Sequence, residues 1–317
     1  MRIGYFLATE EFTPAELIAQ ARAAERAGFY GLWISDHYHP WNAEQGESPF
    51  VWTVLGALSQ ATTGLRVTTA VTCPTVRIHP AVVSQAAATT AAMFEGRFQF
   101  GVGSGEALNE HIFGDPWPVA DVRLEMLEEA IGLIRRLWSG EIVNHDGRHY
   151  HVEHAQLYTL PARPPPVLVS GFGPKAADLA GRVGDGYCIT MPDADLISRF
   201  RSAGGGDKLV QAGLKVCYAS DEAEARKTVR RLWPNEALPG ELAQVLPMPE
   251  HFEQATELVT EEMLAEAVPC GPDLERHARA IQDYADAGVD ELYVHQIGKG
   301  HDRFFEVYAR EILPRFA

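Results

Sequence analysis

Little in this chain points to a membrane, a disulfide framework or a nucleic acid. No apolar run approaches the ~18 residues that a membrane span needs. The first residues, MRIGYFLATEEF, carry neither the basic n-region nor the long apolar stretch of a signal peptide. Only four cysteines occur, Cys73, Cys188, Cys217 and Cys270, far apart and with no CxxC pair. That spacing builds neither a disulfide scaffold nor a zinc site, and it suits buried small hydrophobes in a reducing cytoplasm. Basic residues are also scarce, 27 Lys and Arg against 43 Asp and Glu, for a formal net charge of −16. Such a field repels a polyanion, so no nucleic-acid partner is expected and any anionic ligand must be gripped locally. There is no internal repeat, low-complexity tract or linker long enough to separate two domains.

What remains is an ordinary globular composition, 317 residues with 46% hydrophobic and 22% charged, enough to bury a large core. Short apolar runs alternate with helical patterns. Strands read at Ile3–Ala8, Gly31–Ser35, Arg66–Thr72, Phe98–Val102, Val167–Ser170, Gly186–Thr190, Leu214–Tyr218 and Glu291–Gln296. Thr13-Pro14-Ala15-Glu16 is a capping box with Pro at the first helical position, opening a helix that stops at Gly28. Further helices read at Pro80–Phe94, about Asp121–Trp138, Lys175–Val183, Glu222–Leu232 and Leu274–Ala287. Strand-helix units in series imply a parallel sheet with right-handed crossovers, and eight strands predict an α/β chain closed into a (β/α)8 TIM barrel, residues 1–317 forming one domain. The surplus length predicts insertions after the fourth helix, Gly140–Pro166, and in the C-terminal half, Met191–Gly213 and Pro234–Pro249. Long insertions of this kind are expected to lie over the site as lids.

In such a barrel, catalytic groups gather at the C-terminal ends of the strands. There the sequence places Glu10, the run Ser35-Asp36-His37-Tyr38-His39-Pro40-Trp41, the turn GVGSGE ending at Glu106, and SGFGP from Ser170 to Pro174. His37 suits a general base, because imidazole titrates near neutral pH without special tuning. Glu106 is a carboxyl whose pKa burial would raise. Asp36, Glu10 and Trp41 are placed to orient a polar ligand. The turn Ser170-Gly171-Phe172-Gly173 runs into a helix and offers backbone N–H groups to a phosphate. Each has a plainer explanation when taken singly: a structural histidine, a helix N-terminal carboxylate, an ordinary Gly-Pro turn. GVGSG fails the spacing of a dinucleotide fingerprint. His37-x-His39 and the group His149, His151 and His154 have metal-ligand residue types, but the latter sit on a polar hairpin without cysteine and read as solvated; no metal is expected. Joint occurrence around one rim outweighs any single residue.

The motifs SDHYHPW, GVGSGEALNE and AGRVGDGY together resemble the luciferase-like flavin and deazaflavin oxidoreductases, and within them the coenzyme F420-dependent glucose-6-phosphate dehydrogenase group. The resemblance runs from about Ile3 to the C-terminus and is densest before residue 190. It implies that His37 takes the substrate hydroxyl proton, that Glu106 protonates the cofactor at N1, and that Trp41 and Glu10 shape the substrate pocket. It implies that Asp36 and Ser104 touch the deazaflavin. It also implies that Ala70 and Val71 form a non-prolyl cis peptide against its ring, and that Ser170 to Gly173 hold its phosphate. The implied activity is hydride transfer between a deazaflavin and an alcohol, lactol or the matching carbonyl, in a cytoplasmic homodimer. An FMN-dependent monooxygenase or reductase is the alternative cofactor reading, and a non-catalytic flavin-binding protein the alternative of another class. One departure bears on substrate. The group's sugar-phosphate lysines and arginine fall in stretches that here read ITMPDADL, HFEQATEL and LAEAVPC, none with Lys or Arg. A phosphate dianion needs charge-assisted donors. Arg199, Arg201 and Lys208 are the nearest substitutes, and glucose 6-phosphate is disfavoured.

Overall fold

The computed structural model describes residues 1–316. Eight strands, β1 (Arg2–Leu7), β2 (Gly31–Ile34), β3 (Arg66–Thr69), β4 (Phe98–Val102), β5 (Val167–Ser170), β6 (Gly186–Ile189), β7 (Leu209–Val216) and β8 (Glu291–Gln296), close into a barrel in chain order. Every neighbouring pair is parallel, β8 returning to β1 with Arg2 opposite Glu291. The strands read as continuous apolar runs because helices cover their outer side while the interior is filled by side chains. The capping box forms as read. Thr13 accepts from the Glu16 backbone while the Glu16 carboxylate accepts from Thr13, and Gly28 ends helix α1 (Pro14–Ala27) in the left-handed conformation at φ 88°.

The barrel interior is plugged below the rim. Trp33 and Tyr293 stack with centroids 5.1 Å apart and planes 9° from parallel. Glycine makes the room: a Cβ on Gly4 would lie 2.3 Å from the Tyr293 ring, and one on Gly213 2.9 Å from Trp33. Beside the stack, Gln211 bonds to Trp33 Nε1 (2.7 Å), Gln99 (2.8 Å) and Glu291 (2.7 Å). These buried polar groups satisfy one another, so the plug carries little desolvation debt. All four cysteines are buried free thiols.

The insertions differ from expectation in two places. After helix α4 (Ala120–Leu137, following α2, Val51–Ala61, and α3, Pro80–Phe94) a hairpin of Val143–Asp146 and His151–Ala155 does form. It packs Val143 and Tyr150 onto Ala130, Leu133 and Leu137 of α4, on the flank of the barrel rather than over its mouth. Its backbone is tied there by Glu129, which accepts from the amides of His149 (3.1 Å) and Tyr150 (3.0 Å). Met191–Gly213, by contrast, is no insertion: it holds an ordinary crossover helix, Ala194–Phe200, and β7 begins at Leu209, earlier than the apolar run suggests. Polar Gln211 and glycine Gly213 hide the start of that strand because they serve the plug. Helix α2 escapes sequence reading for a similar reason, with Phe50 at its N-cap and no side-chain cap bond. The true C-terminal excursion leaves at Cys217 and returns beside it at Cys270, where the two form a parallel bridge. Its segment Pro234–Pro249 crosses the mouth, where helix Leu242–Val245 packs on Ala107–Glu110.

Gly4→Ala should destabilise the barrel by about 1–3 kcal/mol, because Tyr293 is pinned by Trp33 and cannot yield. Urea unfolding measures it; a midpoint equal to wild type would mean that the plug is loose.

Candidate active site

The strand ends and the C-terminal excursion enclose a cavity of about 890 Å³. All twelve residues named from the sequence, Glu10, Asp36, His37, Trp41, Ala70, Val71, Ser104, Glu106, Ser170, Gly171, Phe172 and Gly173, line it. The His37 ring stands on its wall. Nε2 lies 3.4 Å from Glu10 Oε1 and 3.7 Å from Glu106 Oε2. Trp41 packs on the ring at 5.1 Å and is backed by Phe252 of the excursion.

The two carboxyls differ in environment. Burial pushes Glu10 up, but the His37 charge and the Ser35 hydroxyl (2.6 Å) outweigh it, leaving the pKa below the ordinary carboxylate value. For Glu106 burial prevails, reinforced by the Glu10 charge and opposed by His37 and Lys215, so its pKa is raised. Two neighbouring acids pushed in opposite directions is the pattern of an acid and base set. Although Glu106 stands at the N-cap of the short helix Ala107–Glu110, its side chain makes no cap bond.

Asn109 sets the His37 ring. Its Oδ1 accepts from the backbone of Tyr38 (2.8 Å) and His39 (3.3 Å), which fixes the amide orientation. Its Nδ2 therefore donates to Glu106 Oε2 and to His37 Nδ1, both at 3.2 Å. His37 Nδ1 also lies 3.2 Å from the His39 carbonyl. The amide requires a bare Nδ1 and the carbonyl a protonated one. The ring can thus present Nε2 with or without a proton, as a group that both takes and returns one must.

A second buried network fixes the rim. Arg77 bonds Asp36 Oδ1 at 2.7 Å, its backbone N–H donates to Glu110 Oε2 at 2.6 Å, and Thr72 donates to Asp36 Oδ2 at 2.8 Å. One guanidinium thus ties the loops after β2, β3 and β4. On the cavity floor the Ala70–Val71 peptide is cis. Gly103 faces it so closely that a Cβ would lie 2.8 Å from Val71. Opposite, Gly173 is the N-cap of helix α5 (Pro174–Val183), which has no side-chain cap. The first-turn amides there are free for an anion.

Comparison with known proteins follows this geometry. The luciferase-like monooxygenase family profile matches residues 1–291. The chain belongs to that family. It is 35% identical over 330 residues to an F420-dependent glucose-6-phosphate dehydrogenase of Segniliparus rotundus, covering 99% of this chain and 98% of the relative. A dehydrogenase of the same description from Beutenbergia cavernae is 36% identical, with 99% and 97% covered. Among solved structures, an F420-dependent secondary alcohol dehydrogenase in complex with an F420-acetone adduct superposes with a TM-score of 0.91 at 30% identity, 98% of each chain covered.

The family frame sharpens the question of cations. Arg201 and Lys208, two of the nearest substitutes that the sequence offered for the missing cations, do not line the cavity and bond the carbonyls of Gly206 (2.7 Å) and Gly181 (3.1 Å). Arg199 does line it, but is held bidentate by Asp178. Lys175 is likewise paired with Asp121 at 2.7 Å. Reading only the loops after strands missed Lys215, which points inward from within β7 and pairs with Glu236 at 2.9 Å. The alternation Gln211, Gly213, Lys215 was the available signal. Asn109 and Arg77 were also missed, because a buried tie between loops leaves no local pattern. Among the described residues no group of three or more His, Cys, Asp or Glu is arranged to hold a metal. His151 and His154 pair instead with Asp146 and Glu153 on the exposed hairpin.

Arg77 faces two carboxylates with one charge, and burial leads the causes that raise Glu110 to about 6. A raised folded pKa means that the native state holds this proton longer than the unfolded chain. Glu110 therefore costs stability as pH rises from its unfolded value near 4.5 to 6, by about 2 kcal/mol at neutral pH. Glu110→Gln should gain on wild type across that window in urea unfolding at pH 4.5 and 7. A difference independent of pH would show that Arg77 already neutralises it.

Proposed function

We propose that this chain is a coenzyme F420-dependent dehydrogenase acting on a carbinol, or in reverse on the matching carbonyl, with a substrate that carries no phosphate. The observation that carries the reading is His37 Nε2 poised between Glu10 and Glu106 on the wall of a cavity whose far end is an uncapped helix N-terminus. The cavity fits the cofactor. The free amides of α5 suit its phosphate, and Ala70 and Val71, packed against Gly103, give a flat ring system a wall to lie on, with Asp36 and Ser104 on the same lining.

When bound, the deazaflavin supplies a carbon that takes or gives hydride. The chain's own residues manage the protons. His37 Nε2 accepts the substrate hydroxyl proton, and Glu10 stabilises the imidazolium that results. Glu106, a weaker acid for being buried, delivers a proton toward the cofactor N1. Trp41 packs on His37 and limits where a substrate carbon can sit, which converts the encounter into an oriented one. Phosphate is disfavoured because, of the cations on the cavity wall, Arg199, Lys175 and Lys215 already have carboxylate partners and Arg123 is held by the Pro118 carbonyl and Gln244. The homodimer and the cytoplasmic location expected from the sequence belong to this proposal. Among the described residues no helix is long and apolar enough to cross a membrane.

Titration of the apo protein with F420 and, in parallel, FMN should show preferential F420 binding through quenching of ligand fluorescence. His37→Ala should bind F420 nearly as well while losing about 10²–10⁴-fold in turnover. Preference for FMN would move the chain to oxygen chemistry, and an unchanged rate in the variant would remove His37 from the reaction.

A further inference from the structure

Lys215 is an unusual choice for the inward face of a barrel strand. Its neighbours two and four residues back, Gly213 and Gln211, belong to the apolar and amide-filled plug. Its side chain is only 15% exposed, and it lines the cavity. The ammonium lies 2.9 Å from Glu236 Oε1 and 4.5 Å from the centre of the Trp233 ring. It is close enough to Glu106 for its charge to lower that carboxyl's pKa. Trp233 is itself braced from behind by Glu11, which accepts from its Nε1 and from the Gly298 amide (2.9 Å) and lies 2.9 Å from His295 Nε2. The lysine is therefore held rigidly on the side of the cavity that carries Glu106.

An ammonium has three N–H donors. Glu236, which does not face the cavity, engages one of them, and among the described residues no other acceptor meets the group. Lys215 lines the cavity, so the side of the ammonium not taken by Glu236 and the Trp233 ring is open to a substrate. Because Glu236 offsets much of the ammonium charge, and because Glu10 and Glu106 face the same space, a dianion gains less here than at an unpaired cation. A neutral oxygen, by contrast, receives a charge-assisted hydrogen bond without such repulsion.

We propose that Lys215 determines specificity by donating to a second, uncharged oxygen on the substrate. The enzyme then prefers vicinal diols, hydroxyketones and lactols of unphosphorylated sugars to monofunctional alcohols. This rests on the reading of the site as a carbinol dehydrogenase.

The test compares F420-loaded wild type and Lys215→Met with 2,3-butanediol and 2-butanol, following F420 reduction by absorbance. Wild type should favour the diol by about tenfold or more in kcat/KM, and the variant should lose that preference mainly through a higher KM for the diol. Lys215→Arg should restore part of it. F420 affinity of each variant reports that it has folded, with Lys215→Gln as the alternative should the Met variant fail. Equal use of the two alcohols by wild type, or a preference that survives in Lys215→Met, overturns the role of Lys215. If F420 binds but neither alcohol reduces it, the carbinol reading itself falls and this proposal with it.

Discussion

One imidazole nitrogen faces two carboxylates in a cavity largely withdrawn from water, and most of the rim is arranged so that this contact can exist. Left alone, two acids within 4 Å of one nitrogen would repel each other and swing toward solvent. Here Ser35 holds Glu10, Asn109 holds Glu106 and the ring together, and Trp41 closes the other face. The restraint separates the two acidities: the His37 charge and the Ser35 hydroxyl outweigh burial at Glu10, whereas at Glu106 burial and the Glu10 charge outweigh His37 and the Asn109 amide, so it retains its proton longer. The chemical asymmetry of the site is thus an asymmetry of burial, neighbouring charge and hydrogen bonding together.

That arrangement depends in turn on a rigid floor. The Trp33–Tyr293 stack and the Gln211 network fill the barrel below the rim, so the strand ends cannot sag inward. Arg77 then binds the loops after β2, β3 and β4 into one piece. The excursion after β7 supplies the remaining walls, Trp233 and the backing of Trp41 by Phe252, and carries Glu236 to Lys215. The part of the chain with the least regular local structure thus closes one side of a cavity whose other walls are the strand ends, through Trp233, Gly240, Glu241 and Gln244.

Much of the barrel was legible because its signals are local. A capping box, a left-handed glycine and runs of buried apolar residues act over a few positions, and Thr13, Gly28 and β2 behave as their neighbours dictate. Strand β7 and helix α2 were obscured because their residues answer to distant partners: Gln211 to Trp33 and Gln99, Val51 and Leu55 to the core. The Gly140–Pro166 segment was recognised as a hairpin but misplaced, since nothing in it records that Tyr150 packs on α4 and donates to Thr75.

By itself the sequence determined the barrel class, the order of the strand ends and which residues would stand on the rim. Those follow from periodicity, turn chemistry and motif, all written within short windows. Only the tertiary structure decided how the charges pair. Arg199 with Asp178, Lys215 with Glu236 and Arg77 with Asp36 and Glu110 join residues about 20 to 40 apart along the chain. Whether a cation is free to hold a ligand is a matter of a few ångströms to the nearest carboxylate, and that distance exists only once the barrel has closed.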